Sequence, residues 1–336
     1  MHLIKQQKKE NQKNIIFASK SIAGFNQMQK NKINQDEVIT LPQNLKNQYI
    51  FNFGICDGHG ENGHLVSQFI KQNLHSILEV QLNQNQNLKV CIQKAFSNLN
   101  KLINEQRQFD VNLSGSTLCN IYITEKKIFC ANVGDSRAIF AKKLRNNQYI
   151  IQKLSNDHSP YIQQEYQRII KAGGIKKSKK QKKVNGSKQG PLRVWLKNKQ
   201  APGLAMTRSF GDKIGVQAGI VCDPEIIEFD YQQIQQNGFI IVASDGIWSI
   251  IDNEEAVNLV KPFYEQKNVE EAVKYLINRA LFKWKKVYIY FLFFFQSLYY
   301  ILFNNFLSVK PIKGMILAQS LYFYEFFCFI ILKLLN

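Results

Sequence analysis

Asp57, Gly58 and His59 stand where an apolar run from Tyr49 to Cys56 gives out. The aromatic and β-branched residues of that run are those of a buried strand. A carboxylate at a strand end can leave the core and hold a cation. Gly58 lets the backbone turn and brings its carbonyl near the same ion. His59 can give or take a proton near neutral pH. The same residues also suit an ordinary Asp-Gly turn. Far downstream, Gly238 to Trp248 is again an apolar run ending in Asp-Gly, at Asp245 and Gly246. Two carboxylates delivered by two strand ends suggest one shared oxygen-rich site, which suits hard divalent cations such as magnesium or manganese.

Two more acids fall at comparable places. Asp36 precedes a short apolar run, and Asp135 sits in the turn Gly134-Asp135-Ser136. Asp135 is either a plain turn residue or a further carboxylate facing the cations. His158, in the loop from Ser155 to Pro160, reads as a loop-stabilising group rather than a ligand.

The elements that must position these residues follow from periodicity. Leu65, Val66, Phe69, Ile70, Leu74, Ile77 and Leu78 predict one helix, and the stripe from Leu88 to Ile103 a second. Between Gly115 and Leu154 the period becomes two. Ser116–Ile123, Lys127–Val133, Ala138–Leu144 and Tyr149–Leu154 read as antiparallel strands. A further helix passes through Glu165 and Ile169 and ends at Gly173-Gly174. The run from Pro202 to Asp212 is too punctuated for regular structure and too apolar for a linker. Helices are expected near 254–260 and 269–282.

The chain has 336 residues and a formal net charge of +19. Part of the excess lies in a basic insertion, 176–188. It reads as a solvated, disordered segment rather than a patch for nucleic acid or acidic lipid, and no aromatic residue interrupts it. Nucleic acid is therefore not the expected partner. The six cysteines form no Cys-x-x-Cys pair and no zinc spacing. Residues 1–20 read as a flexible polar lead without an apolar signal region, so a reducing, intracellular setting is expected.

Taken in order, the motifs resemble the protein phosphatase 2C family, the metal-dependent protein serine/threonine phosphatases. The words that match are Asn34-Gln35-Asp36, Asp57-Gly58-His59-Gly60, Gly115-Ser116-Thr117, Val133 to Arg137, Asp157 to Pro160, Pro202 to Asp212, Asp223-Pro224-Glu225 and Ala243 to Trp248. The resemblance covers a catalytic domain over residues 21–282. It implies an α+β fold in which a two-sheet antiparallel β-sandwich is flanked by helices on both faces, in α-β-β-α layers. It also implies hydrolysis of phosphoserine and phosphothreonine in phosphoprotein substrates. Asp57 would bridge two Mn2+ or Mg2+ ions, the Gly58 carbonyl would bind one, Asp245 the other, and Asp36 would hold metal-bound water. A bridging hydroxide would attack phosphorus directly, and His59 would protonate the leaving oxygen. A cytoplasmic or nuclear location is expected.

The sequence departs from that pattern in three places. Where the family often carries an arginine for substrate phosphate, Asn31 stands between Lys30 and Lys32; a lysine supplies charge without the bidentate fork. Ser249 stands where the family often has an acid, which with Asp135 would serve a third metal. The family's final strand, opened by a metal-binding aspartate, has no counterpart after Trp284, and Glu325 does not fit its motif. The tail 283–336 is instead rich in Phe, Tyr, Leu and Ile. Its segments 287–303 and 315–332 approach the roughly 17 apolar residues needed to span a membrane. The tail therefore reads as a membrane hairpin, as an erroneous ending, or as an unusual buried C-terminal element. The missing acid keeps open an alternative: a catalytically weak or inactive phosphoprotein-binding module.

Overall fold

The computed structural model describes residues 15–24, 33–45, 48–85, 87–178, 192–230, 238–304 and 326–333. Strands β1 (Ile15–Ile22), β2 (Asp36–Leu45) and β3 (Gln48–His59) lead to helices α1 (Gly63–Gln84) and α2 (Leu88–Glu105). Then come β4 (Gly115–Ser116), β5 (Leu118–Ile123), β6 (Lys127–Val133), β7 (Arg137–Lys143) and β8 (Tyr149–Lys153). Helix α3 (Gln163–Lys171) is followed by β9 (Gly174–Ser178), β10 (Leu192–Leu196), β11 (Pro202–Leu204), β12 (Phe210–Gly211) and α4 (Lys213–Val216). The remainder is β13 (Glu225–Asp230), β14 (Gly238–Ala243), α5 (Asp245–Trp248), α6 (Asn253–Glu265), α7 (Val269–Asn304) and β15 (Phe326–Lys333).

Alternation along the strands sorts the apolar residues into three layers. In one sheet β5, β3 and β2 are hydrogen-bonded neighbours, with β6 and β13 beyond β5 and the short β4 and β12 extending from the end of β3. The other sheet runs β1-β15-β14-β7-β8. Phe53, Ile55, Cys119, Ile121 and Cys130 of the first sheet meet Ala138, Phe140, Ile240 and Val242 of the second in the middle of the sandwich. The alternate residues Leu118, Tyr122, Ala131 and Val133 face α1 and α2. Ile139, Ala141, Phe239 and Ile241 face α6 and α7. The α+β, two-sheet sandwich with helices on both outer faces is the architecture observed.

The helices form where the stripes predict. Asn87 caps α2 by accepting from the Lys89 and Val90 amides at 3.1 and 3.4 Å, and Cys91, Ala95, Phe96 and Leu99 are buried beneath it. Asp252 caps α6 through the Glu255 amide at 2.8 Å.

Three expectations need correction. Ile15–Ile22, the end of the supposed flexible lead, is strand β1, whose half-buried Ile15, Ile16 and Phe17 pack on the sandwich. The basic run begins inside a strand: Lys176 and Lys177 of β9 pair with Val194 and Arg193 of β10, and the rest of the run lies outside the described residues. In the tail, 287–303 belongs to α7, and among the described residues no helix is long and apolar enough to cross a membrane. Of the second segment, 315–332, residues from Phe326 onward are strand rather than helix. β15 pairs along its length with β1 on one side and lies beside β14 on the other. Those residues therefore have a place within the sheet. Glu325 lies outside the described residues.

Candidate active site

The acids collect at one end of the sandwich because strand register puts them there. Asp36 opens β2 directly opposite Asp57 near the end of β3. Directly opposed residues share a sheet face, and two like charges so placed repel unless a cation lies between them. Val38 and Ile55, next along the same face, point into the core between the sheets, so the two carboxylates emerge from that core at its rim. Asp36 is 3% exposed. Its Oδ2 accepts from the Ser244 hydroxyl at 2.9 Å. That bond joins the rims of the two sheets and brings Asp245, the next residue, to the same place.

Thr117 fixes the Asp57 backbone from both sides. Its Oγ1 accepts from the Asp57 amide at 3.1 Å, and its own amide donates to the Asp57 carbonyl at 2.9 Å. The Thr117 hydroxyl also meets Ser136 Oγ at 2.8 Å, beside Asp135. Gly58 is closely enclosed: a Cβ there would lie 2.4 Å from the Gly63 carbonyl oxygen and 2.7 Å from that of Gln35. Only glycine lets the chain pass.

Asp135 carries a buried Oδ1 without a hydrogen-bond partner. Burial and the neighbouring Asp57 and Asp157 push its carboxyl up to about 7. The turn that holds it is pinned to the 156–158 segment. The His158 amide donates to the Gly134 carbonyl at 2.9 Å, and the Gly134 amide donates to His158 Nδ1 at 3.2 Å. His158 thus has the loop-stabilising place expected of it. Asp157 accepts a fork from Arg137 at 2.8 and 2.5 Å, while Arg137 lies over the Trp248 ring at 5.2 Å and donates to Asn253 at 2.8 Å.

These acids fit divalent cations. Asp36 and Asp57 bring carboxylate oxygens to opposed positions, and Asp135 Oδ1 is a buried acceptor without a hydrogen-bond donor. Among the described residues no three His, Cys, Asp or Glu side chains form a ready cage. A magnesium-type site needs none: such ions keep several waters and take one or two carboxylates. The residues that could hold such ions are Asp57, the Gly58 carbonyl and Asp245, with Asp36 opposite Asp57 in the strand register. Ser249 is exposed past the end of α5 and adds no carboxylate beside Asp135. Lys30 and Lys32 lie outside the described residues.

His59 ends β3 and its Nε2 lies 2.6 Å from Asp212 Oδ2. Burial alone would lower the imidazole pKa, but the Asp212 charge and hydrogen bond, with Asp57 and Asp135 behind, outweigh it and the pKa is raised. Asp212, Thr117, Ser136 and Ser244 are roles the sequence reading left unassigned. The motif words containing them were visible; their partners were set by strand pairings between distant segments.

Against known proteins, the protein phosphatase 2C family model matches residues 22–283. A probable protein phosphatase 2C of Arabidopsis thaliana, number 72, is 31% identical over 268 residues, covering 76% of each chain. Number 35 of the same plant is 28% identical over 267 residues, 76% of this chain and 75% of that one. Among solved structures, a serine-threonine phosphatase 2C of Toxoplasma gondii superposes with a TM-score of 0.67 at 16% identity, covering 95% of this chain and 94% of that one. A sex-determining protein of C. elegans gives 0.65 at 18% identity, covering 96% and 66%. At these identities the solved structures speak to fold alone.

Proposed function

The chain belongs to the protein phosphatase 2C family, and from that premise we propose that it is a Mn2+- or Mg2+-dependent phosphatase of phosphoserine and phosphothreonine in proteins. The observation that carries the reading is the register of Asp36 opposite Asp57, joined through Ser244 to the segment bearing Asp245. Two bound cations would supply the positive charge that acidifies water and neutralises phosphoryl oxygens.

The chain's own residues do the rest. Asp57, the Gly58 carbonyl and Asp245 hold the cations, Asp36 orders water beside them, and Asp135 is the candidate for a weaker third ion. Thr117 keeps Asp57 from shifting. His59 delivers a proton to the departing serine or threonine oxygen, which is a poor leaving group without one. Lys30 and Lys32 are proposed to attract substrate phosphate. A cytoplasmic or nuclear setting belongs to the same proposal, and the free thiols of the four buried cysteines Cys56, Cys91, Cys119 and Cys130 suit reducing conditions.

One observation favours a second reading. β15, Phe326–Lys333, contains no acid, and this is the strand beside β14. A site short of one carboxylate binds metal more weakly, and a phosphoprotein-binding module without turnover would result. Purified chain with a phosphothreonine peptide, with and without manganese, separates the two. We expect manganese-dependent turnover that drops at least ~100-fold in Asp57→Asn. Turnover no higher than that variant's, with peptide binding retained, establishes the binding module instead.

A further inference from the structure

Gly115 is the meeting point of three chain segments. In the ladder β12-β4-β3 it lies opposite His59 on one side and Gly211 on the other. A Cβ on Gly115 would lie 2.3 Å from Asp212 Oδ2, 2.4 Å from the Phe210 carbonyl oxygen and 2.8 Å from His59 Nε2. The bare Cα is therefore the opening across which the Asp212 carboxylate reaches the imidazole.

Asp212 is itself tightly held. It is fully buried, in a left-handed backbone conformation at φ 45°, and its amide donates to the Ser114 carbonyl at 3.0 Å. Its Oδ2 accepts from the Ser209 hydroxyl at 2.6 Å as well as meeting His59 Nε2 at 2.6 Å. A carboxylate only accepts, so Nε2 carries the hydrogen. His59 Nδ1 is buried and has no protein partner. The ring is thus committed: one nitrogen to Asp212, the other to whatever occupies the site.

We propose that Asp212, seated by Ser209 and admitted by Gly115, is a positioning residue that holds His59 with Nε2 turned inward, so that Nδ1 is the atom that gives the proton to the leaving oxygen. In that step a water-derived oxygen bonds to phosphorus as the P–O bond to the alcohol breaks, the Nδ1–H bond of the imidazolium breaks, and the proton ends on the alcohol oxygen, leaving neutral imidazole with its hydrogen on Nε2. The proposal rests on the reading of His59 as general acid.

The first test uses the metal-free full chain labelled with 15N-histidine. We expect one of the five histidines, assigned by its loss in His59→Gln, to carry its hydrogen on Nε2 with an exchange-protected ring proton that Asp212→Ala abolishes. The opposite tautomer, or a signal indifferent to Asp212, overturns the proposal.

The second test compares a phosphothreonine peptide with p-nitrophenyl phosphate, whose leaving group needs little protonation. In Asp212→Ala, kcat on the peptide should fall ~10-fold or more with KM little changed, and kcat on p-nitrophenyl phosphate less than ~3-fold. In a His59→Gln background the same change should add less than ~2-fold, since groups acting as a unit are not additive. Equal losses on both substrates, or additive losses, mean that Asp212 merely supports the fold. Should Asp212→Ala fail to fold, Asp212→Asn and Ser209→Ala carry the comparison with smaller effects in the same direction. A His59→Gln enzyme that loses both substrates alike sinks the general-acid reading itself, and is distinguishable because the tautomer measurement needs no turnover.

Discussion

A single methyl group is a sharp probe of this site. Gly115→Ala would press a Cβ against the Phe210 carbonyl, which is backbone and cannot swing away. We expect a loss of about 1–3 kcal/mol, typical of overpacking, read as a lower urea midpoint. His158 offers a second test at the same scale. It is 3% exposed, and burial, then the nearby Arg208 and Arg168, lower its pKa to about 3 against the pull of Glu165. Glu225 is the other acid near it, 3.8 Å from Nε2. The unfolded chain binds this proton near pH 6.5 and the folded chain does not, so the stability is complete above that pH. It is lost as pH falls toward 3, at up to about 1.4 kcal/mol per unit from one such group. Urea midpoints between pH 7 and 4 should therefore fall less steeply in His158→Gln than in the parent. At this scale the sequence was informative where a residue's neighbours along the chain settle its place. Asp57 and Asp245 follow apolar runs, and an acid after a buried strand stands at a rim. Asp212 follows no such rule: its partner, His59, is brought to it by β4, and a two-residue strand leaves no periodic trace.

Among the elements, α3 is the one most dependent on charge. Glu165, 3% exposed, receives both nitrogens of Arg168 at 2.9 and 2.7 Å, the Thr207 hydroxyl at 2.6 Å and Arg208 at 2.6 Å. Burial pushes its carboxyl up, but these donors prevail and hold it well below the usual carboxylate range. Glu165→Gln would leave two guanidinium groups without their counter-charge in a half-buried place. A cost of about 3–5 kcal/mol follows, the range for breaking one side of a buried ion pair. The β10 and β11 amides should exchange with deuterium faster in that variant, because Arg168 and Arg208 also tie this unit to the Thr207 and Asp223 carbonyls. Long stripes made α1, α2 and α6 legible from sequence, since each buries one face on a sheet. The region from β9 to β12 was not: its strands are two to five residues long, interrupted by the basic insertion, and their alternation is too short to count. β1 was missed because its polar neighbours hid an edge strand that is only half buried.

For the molecule as a whole, the sandwich depends on a strand from the far end of the chain. β15 lies between β1 and β14, so a chain ending at Asn304 would leave β1 without its ladder and β14 with an open edge. We expect that truncated chain to melt at lower temperature and to associate through the exposed edge, visible as larger species on a sizing column. The layered architecture was legible because helix and strand periods alternate in blocks along the chain. The place of β15 was not, since a run apolar from Phe326 to Leu332 reads equally as a buried strand or a membrane segment until its neighbours are known. The same arrangement sets a timetable for the newborn chain. β1 leaves the ribosome long before β15, and the two are neighbours in the sheet. Everything made between them must wait with one sheet unfinished, holding Asp245 at its rim, until β15 has emerged. Chaperones that shield apolar strand edges therefore have their longest opportunity on this sheet, and a stalled ribosome would present it open.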